Sequence, residues 1–141
     1  MPKTKLLFDT NAVDSVNLFY ISESKIFYSA IVLMELMTAC SDTKELKSYQ
    51  KAYKNAKDES ILIAPNDDDI LEAGRIQFHL AQDRKDAKGN APKRASKIKQ
   101  EIAMDCLIAV SACREQIAIV TNDNDYWEIQ RYLKKLNLIK L

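Results

Sequence analysis

Four acidic residues lie inside, or directly after, the most apolar segments of this chain. They are Asp9, Glu35, Asp105 and Asp123. A carboxylate buried without a partner costs several kcal/mol, so it normally shifts its pKa or acquires a cation. The chain must therefore fold so that these charges are compensated, and one shared divalent-metal site would compensate all four.

Two of these acids are predicted to lie on buried helices. Glu35 is the only charged residue in Ser29–Cys40, and Asp105 is the only one in Ile102–Cys113. At about 100° per residue, Asp105 falls on the apolar arc of its helix and should face the sheet. A lone acid of this kind is as often a satisfied structural residue as a functional one. The occurrence of four such acids favours a common site.

The other two acids follow predicted strands. Asp9 comes directly after Lys5–Phe8, and Asp123 follows the apolar run Ile117–Val120 after Thr121 and Asn122. Because ligands of parallel α/β sheets bind beyond the carboxyl ends of the strands, both acids are placed where a ligand is expected.

Strands and helices alternate along the chain, which predicts an α/β fold with a mainly parallel sheet flanked by helices. The length of 141 residues favours one domain, residues 1–141. The predicted strands are Lys5–Phe8, Lys25–Ser29, Ser60–Ala64, Gln116–Thr121 and Leu138–Leu141. The predicted helices are Ala30–Cys40, Thr43–Lys57, Asp67–Gln82, Pro92–Arg114 and Asp125–Leu136, with a loop at Asp83–Pro92.

The composition excludes several other kinds of protein. The two glycines form neither a P-loop nor a dinucleotide-binding motif. The three cysteines are odd in number, lack CxxC spacing and lie in apolar segments, so reduced thiols in a cytoplasmic protein are expected. The apolar runs are too short to cross a bilayer, and we expect no membrane association.

A basic stretch precedes the Asp105 helix. Residues 83–99 contain seven Lys/Arg and two Asp, although the net charge of the whole chain is only +1. A solvated helix face would explain such a run equally simply. If the stretch borders the acidic site, its side chains are candidates for contacts to nucleic-acid phosphates. These candidates are Arg84, Lys85, Lys93, Arg94 and Lys97.

Clustered carboxylates are suited to hard cations. Mg²⁺ and Mn²⁺ prefer oxygen ligands, and Mg²⁺ retains several waters that neighbouring polar groups can orient. Asn11, Thr121 and Asn122 are the candidates for orienting ligands or waters. Without an ion the carboxylates repel one another, so at least one should have a raised pKa.

Four segments carry a family resemblance. FDTN at Phe8–Asn11, SAIVLMEL at Ser29–Leu36, MDCLIAVSA at Met104–Ala112 and TNDNDYWEI at Thr121–Ile129 resemble, in order, the signature segments of the PIN-domain ribonucleases. At this length the chain looks most like the toxin of a VapBC-type toxin–antitoxin pair.

The resemblance implies a three-layer α/β/α fold and Mg²⁺- or Mn²⁺-dependent cleavage of RNA. It assigns metal-ligand roles to Asp9, Glu35, Asp105 and Asp123, with Asp125 as a possible additional ligand. It also implies a homodimer and an antitoxin partner whose tail occupies the active-site groove.

The same residues admit other functions. A phosphatase with Asp9 as nucleophile would need a second Asp two positions on, where Asn11 stands. A PIN-domain nuclease that processes RNA without being a toxin, or a non-catalytic RNA-binding member of the same fold, stays open. Tyr126 and Trp127 could stack on a base, although packing is the simpler role. The single histidine, His79, lacks companions at zinc spacing.

Overall fold

The computed structural model describes residues 4–12, 24–85 and 95–141, and of residues 95–101 it describes the backbone alone. Within these ranges the strands are β1 Thr4–Phe8, β2 Ser24–Ser29, β3 Leu62–Ile63, β4 Ala118–Thr121 and β5 Leu138–Lys140. The helices are α1 Ala30–Thr38, α2 Thr43–Asp58, α3 Asp67–Asp83, α4 Ala95–Arg114 and α5 Asp125–Gln130. Most of the predicted loop at Asp83–Pro92 lies outside the described residues.

The five strands form one sheet in the order β3-β2-β1-β4-β5. Every pairing among them is parallel, so the prediction of a mainly parallel sheet with flanking helices is confirmed. In the centre of the sheet, β1 pairs with β4 through Leu6 opposite Ala118 and Phe8 opposite Val120. The carboxyl ends of β1 and β4 therefore lie side by side.

Apolar side chains leave β1 and β4 on both faces, as the two-residue period of a strand requires. Leu7 and Ile119 are fully buried in a large core that includes Ile76 of α3 and Ile108 of α4. The opposite face carries a smaller cluster formed by Leu6, Phe8, Ala12 and Val120. A sheet with apolar cores on both faces agrees with the three-layer α/β/α architecture.

Two helices end in a left-handed residue that is not glycine. Ser60 after α2 and Gln116 after α4 have φ of 60° and 58°. In each case the next N–H bonds back across the helix end, from Ile61 to Ala56 O and from Ile117 to Ala112 O, both at 2.9 Å. This closure satisfies the last carbonyls of the helix. It also makes the third strand shorter than the predicted Ser60–Ala64, because Ser60 belongs to the helix end.

The prediction that a helix extends over Asp125–Leu136 is wrong beyond Gln130. After Gln130 the backbone N–H groups bond to the third carbonyl before them, from Tyr132 to Ile129 O and from Leu133 to Gln130 O. Such bonds make tight turns instead of an α-helix. The Gln130 amide also donates to Leu136 O at 2.7 Å. These turns bury Leu136 without helical geometry. Among the described residues, no helix is long and apolar enough to cross a membrane.

An ion pair between a buried acid and a half-buried arginine joins the start of α3 to the end of α4. Asp69 is 3% exposed and accepts from Arg114 Nε at 3.0 and 3.1 Å. Its Oδ2 also accepts from the Asn66 N–H at 3.0 Å, which completes a capping box at the start of α3. The Arg114 guanidinium donates further to Ala64 O at 3.0 Å. The acid and the arginine thus tie the β3–α3 connection to the C-terminus of α4.

Replacing Asp69 with Asn should lower the free energy of unfolding by about 1–3 kcal/mol, because Arg114 loses its charged acceptor at this buried position. Urea denaturation measures the loss. Glu72→Gln is the matched control: Glu72 pairs with Arg75 on the surface of the same helix. Its replacement should change stability by less than about 1 kcal/mol. Equal losses of unfolding free energy in the two variants would show that the Asp69–Arg114 pair stabilises the fold no more than a surface ion pair does.

Candidate metal centre

The carboxyl ends of β1 and β4 place the two strand-end acids together. Asp9 is the residue after β1, and Asp123 follows β4 by two positions. The N–H of Asp9 still bonds to Val120 O at 3.3 Å, so the chain remains paired up to the acid itself. The site therefore begins where the central strands stop pairing.

A chain of hydrogen bonds orders the acids at this edge. The Thr121 hydroxyl donates to Asp9 Oδ2 at 2.5 Å and accepts from the Asp123 N–H at 2.9 Å. Asp123 Oδ1 in turn accepts from the Asp125 N–H at 2.9 Å. Asp9 Oδ1 accepts from the Ala12 N–H at 2.9 Å. Thr121, which is fully buried, thereby links the first acid to the segment that carries the last two.

Three carboxylates approach one another most closely. Asp105 of α4, Asp123 and Asp125 each offer an oxygen, and these oxygens lie within 4.8 Å of one another. They border a cleft of about 690 Å³ that is also lined by Asp9 and Glu35. The cleft thus brings together the four acids to which the family resemblance assigned metal-ligand roles and Asp125, the possible additional ligand, although Asp9 and Glu35 lie outside the close group of three.

Burial raises the pKa of Asp105 and of Asp9. The pKa of Asp105 rises to about 8, first because burial disfavours its charged form and then because Asp123, Asp125 and Glu35 repel its charge. Burial also raises the pKa of Asp9, while hydrogen bonds from Thr121 and Ala12 act in the opposite direction. The raised pKa of Asp105 agrees with the expectation for clustered carboxylates without an ion.

One carboxylate oxygen of Glu35 on α1 accepts no hydrogen bond from the described residues. Within the described part of the chain, its Oε1 is buried and has no hydrogen-bond partner. Burial raises the pKa of Glu35, a hydrogen bond with the Thr10 side chain lowers it, and the charge of Asp9 raises it further. Unpaired buried acceptors are rare in folded proteins and require an explanation.

A hard divalent cation fits this set of donors. The cleft presents carboxylate oxygens from several elements, and Mg²⁺ and Mn²⁺ prefer such ligands. Glu35 lines the same cleft, and its charge repels those of Asp105 and Asp9, so the buried Oε1, unpaired within the described part of the chain, adds an acceptor near these acids. Asp105, Asp123 and Asp125 form the group that could hold an ion directly.

Tyr126 packs in the core and also contacts the acidic site. Its ring is 1% exposed in the large core, yet the residue also lines the cleft. The hydroxyl donates to Asp105 Oδ1 at 3.4 Å, a long hydrogen bond. The pKa of Tyr126 is raised well above its usual value. Burial is the largest cause, and repulsion from nearby charges adds to it, from Asp105, Asp9, Glu35 and Asp123. The phenol therefore remains a neutral donor beside the acids.

The three residues predicted to orient ligands or waters differ in their positions. Thr121 makes the hydrogen bonds described above, and Asn11 lines the cleft. Asn122 is exposed, and it is not among the described residues that line the cleft. The orienting role of all three stays a prediction.

The predicted phosphate contacts are only partly described. Arg84 directs its guanidinium at Asp125 and Glu128, so its close partners are protein carboxylates. Sequence reasoning missed this contact because it joins residues 41 and 44 positions apart. Lys85 is exposed at the end of α3. Lys93, Arg94 and the side chain of Lys97 lie outside the described residues.

The fold and the site together define a class of protein. It is a parallel α/β domain with a carboxylate-lined cleft at the carboxyl ends of its central strands. The chain belongs to the PIN domain family, whose model matches residues 5–132. No curated protein matches the chain significantly.

Several solved structures share the fold. A structure of VapBC2 from Rickettsia felis bound to a promoter DNA fragment is 20% identical, with TM-score 0.55 and coverage of 96% of this chain and 98% of that one. FitAcB from Neisseria gonorrhoeae is 14% identical, with TM-score 0.60 and coverage of 95% and 96%. VapBC-5 from Mycobacterium tuberculosis is 18% identical, with TM-score 0.55 and coverage of 99% and 100%. At such identities the similarity is one of fold.

Without divalent cations, Asp105→Asn should stabilise the protein at alkaline pH. The native pKa of Asp105 is raised to about 8 from 3.8. The carboxyl group therefore contributes stability that is complete below pH ~4 and is lost as pH rises through ~8. The neutral amide does not show this loss. We expect the melting temperature of the variant to exceed that of the wild type by a few degrees at pH 8.5 in EDTA, and by much less at pH 4.5.

Asp58→Asn is the control for this pH series, because Asp58 is exposed at the end of α2. Its melting temperature should follow that of the wild type at every pH. A difference between Asp105→Asn and the wild type that does not grow with pH would contradict the raised pKa.

Proposed function

We propose that the protein is a Mg²⁺- or Mn²⁺-dependent endoribonuclease and the toxin of a toxin–antitoxin pair. The observation that carries this proposal is the close group of Asp105, Asp123 and Asp125 in a cleft that Asp9 and Glu35 also line. So many acids in one cleft are costly unless a cation compensates them. The PIN domain family membership supports nuclease chemistry as the purpose of that cation.

The residues of the site have distinct parts in this proposal. Asp105, Asp123 and Asp125 would hold the ion, while Asp9 and Glu35 present further acceptors from β1 and α1 to the ion or its waters. When bound, Mg²⁺ or Mn²⁺ would supply Lewis acidity at the phosphodiester and would lower the pKa of a water. Thr121 fixes the Asp9 carboxylate, so that this acid needs no reorganisation when substrate binds.

Binding of RNA needs positive charge beside the acidic cleft, because phosphates and carboxylates repel each other. Lys85 is exposed directly after α3. It belongs to the basic stretch of residues 83–99, which begins at the end of that helix. We propose that this stretch, with Lys93, Arg94 and Lys97, contacts the RNA backbone. The divalent ion would neutralise the cleft itself.

The toxin assignment is supported by the structures that share the fold. They include VapBC2, FitAcB and VapBC-5, and VapBC-5 is a member of the VapBC family of toxin–antitoxin systems. An apolar groove between α1 and α2, about 510 Å³ in volume, adjoins the acidic cleft, since Met34 lines both. We propose that an antitoxin tail with apolar and basic side chains occupies the groove and the cleft. The three free cysteines are compatible with a cytoplasmic setting for this pair.

A homodimer through α3 is the second part of the partner proposal. Ile70, Leu71 and Phe78 are 56%, 74% and 59% exposed, which is unusual for large apolar side chains on one helix. They fall within an arc of about 100° on the helix. Gly74 lies in the same arc, and a Cβ placed there would meet nothing within 4 Å. A second copy packed on this face would bury all three apolar side chains.

Two alternatives differ from the proposal in measurable ways. A PIN-domain nuclease that processes RNA would cleave without an antitoxin and without harm to its host. A non-catalytic RNA-binding module would bind RNA and leave it intact. The five acids in the cleft favour catalysis over the second alternative, because binding alone does not require them.

Purified protein should cut total cellular RNA into discrete fragments with Mg²⁺ or Mn²⁺, and EDTA should abolish the cleavage. Asp105→Asn should reduce the rate by more than about 100-fold, because it removes a charged ligand of the ion. Because the same change is expected to stabilise the cation-free fold at alkaline pH, the variant should already be folded before the cation is added, and a melting curve in the cleavage buffer checks this. Gel analysis of the products measures the rate.

Asp58→Asn is the control for cleavage as well, and it should cleave at the wild-type rate. Binding of RNA without cleavage, by folded protein free of inhibitor, would exclude the nuclease and favour the binding module. Metal-dependent cleavage that survives in Asp105→Asn would show that the activity resides elsewhere. Growth arrest on expression, relieved by co-expression of a neighbouring antitoxin gene, separates a toxin from a processing nuclease.

Leu71→Glu should dissociate the proposed dimer, because the change places a charge in the apolar face of α3. Analytical ultracentrifugation should give twice the protomer mass of 16.1 kDa for the wild type and a single protomer for the variant. Lys51→Glu on the exposed surface of α2 introduces the same side chain and should remain dimeric. A monomeric wild type, or a dimeric Leu71→Glu protein, would contradict the interface.

A further inference from the structure

Arg84 is the cation that the described residues place against the acidic cluster. One of its terminal nitrogens, Nη2, lies 3.1 Å from Asp125 Oδ1 and 2.5 Å from Glu128 Oε2. Its side chain is 23% exposed, so the contact is partly shielded from water. An arginine between two carboxylates in such a setting interacts more strongly than an exposed surface pair.

The fold brings Arg84 to this position from outside the segments that carry the acids. Arg84 is the C-cap of α3, and its N–H bonds to Leu80 O at 3.2 Å. The Leu80 side chain is 1% exposed in the large core. The arginine therefore lies at the end of a helix that packs into the core, and its guanidinium contacts the first turn of α5.

Asp125 experiences opposing forces at that turn. Burial raises its pKa and the charge of Asp123 raises it further, while the charge and hydrogen bond of Arg84 lower it. Glu128, one turn later on α5, adds to the repulsion. Asp125 is also one of the three acids whose oxygens lie within 4.8 Å of one another. Without Arg84, repulsion would favour rotamers of Asp125 that point away from the cluster.

We propose that Arg84 is a positioning residue: its guanidinium holds the Asp125 carboxylate against Asp105 and Asp123 in the orientation that a divalent cation needs. This inference rests on the proposed function and deepens it. Arg84 does not touch substrate in this role. It acts through Asp125, as residues outside the ligand set commonly do at metal sites.

Electrostatics alone predicts the opposite effect of removing Arg84. Loss of a positive charge near a cation site should tighten cation binding, because like charges repel. Loss of a positioning contact should weaken it. The direction of the change in cation affinity therefore distinguishes the two roles, and no measurement of activity is needed.

Mn²⁺ binding to the folded proteins, followed by electron paramagnetic resonance of the free ion, tests the inference. We expect Arg84→Met to bind Mn²⁺ about 10-fold more weakly than the wild type. Arg84→Lys keeps the charge and loses the planar fork, so its affinity should lie between the two. In an Asp125→Asn background, the further change Arg84→Met should no longer weaken Mn²⁺ binding, since the positioning effect acts only through Asp125.

Arg131→Met is the matched control. Arg131 also links α3 to the end of α5, through Asp83 at 3.5 Å, but it lies outside the cleft and is 63% exposed. Its replacement should leave Mn²⁺ affinity unchanged. Equal or tighter binding by Arg84→Met would overturn the inference while leaving the metal site in place. If Arg84→Met does not fold, wild-type affinity in Arg84→Lys overturns it instead. A wild type that binds no Mn²⁺ would refute the proposed function, and this inference with it.

Discussion

Repulsion among carboxylates in one cleft is the constraint on which the rest of this structure depends. The central strands end side by side, and α4 and α5 add acids to that edge, so that Asp105, Asp123 and Asp125 lie closely together. Burial and mutual repulsion raise the pKa of Asp105 to about 8. Such an arrangement lowers stability at neutral pH, and a fold retains this kind of cost where a site has a use for it.

The fold offsets part of that cost with contacts that also set the geometry. Thr121 donates to Asp9 and accepts from the Asp123 N–H, and the Asp125 N–H donates to Asp123 Oδ1. Arg84 supplies a positive charge from α3. The pair of buried Asp69 and half-buried Arg114 holds the start of α3 against α4, far along α3 from the cleft. These contacts involve β4, α3, α4 and α5, so the site depends on the assembled sheet and helices as a whole.

The sequence predicted the parallel α/β fold and the acids of the cleft because both signals are local. Each of the four main acids stands alone in, or just after, an apolar run, and such patterns do not require knowledge of the fold. The sequence did not predict that Asp105, Asp123 and Asp125 lie closest together, since their distances depend on how α5 packs beside α4. Arg84 pairs across more than forty positions, and no local pattern indicates that contact. The end of α5 was misplaced because tight turns bury Leu136 as well as a helix would.

The central claim is that the acidic cleft holds a divalent cation, and anomalous diffraction from crystals soaked in Mn²⁺ tests it most directly. We predict an anomalous peak at coordination distance from oxygens of at least two of Asp105, Asp123 and Asp125. The peak should be absent from identically soaked crystals of Asp105→Asn protein. Ordered carboxylates with no anomalous peak in the cleft at saturating Mn²⁺, or a peak that persists in the variant, would contradict the account.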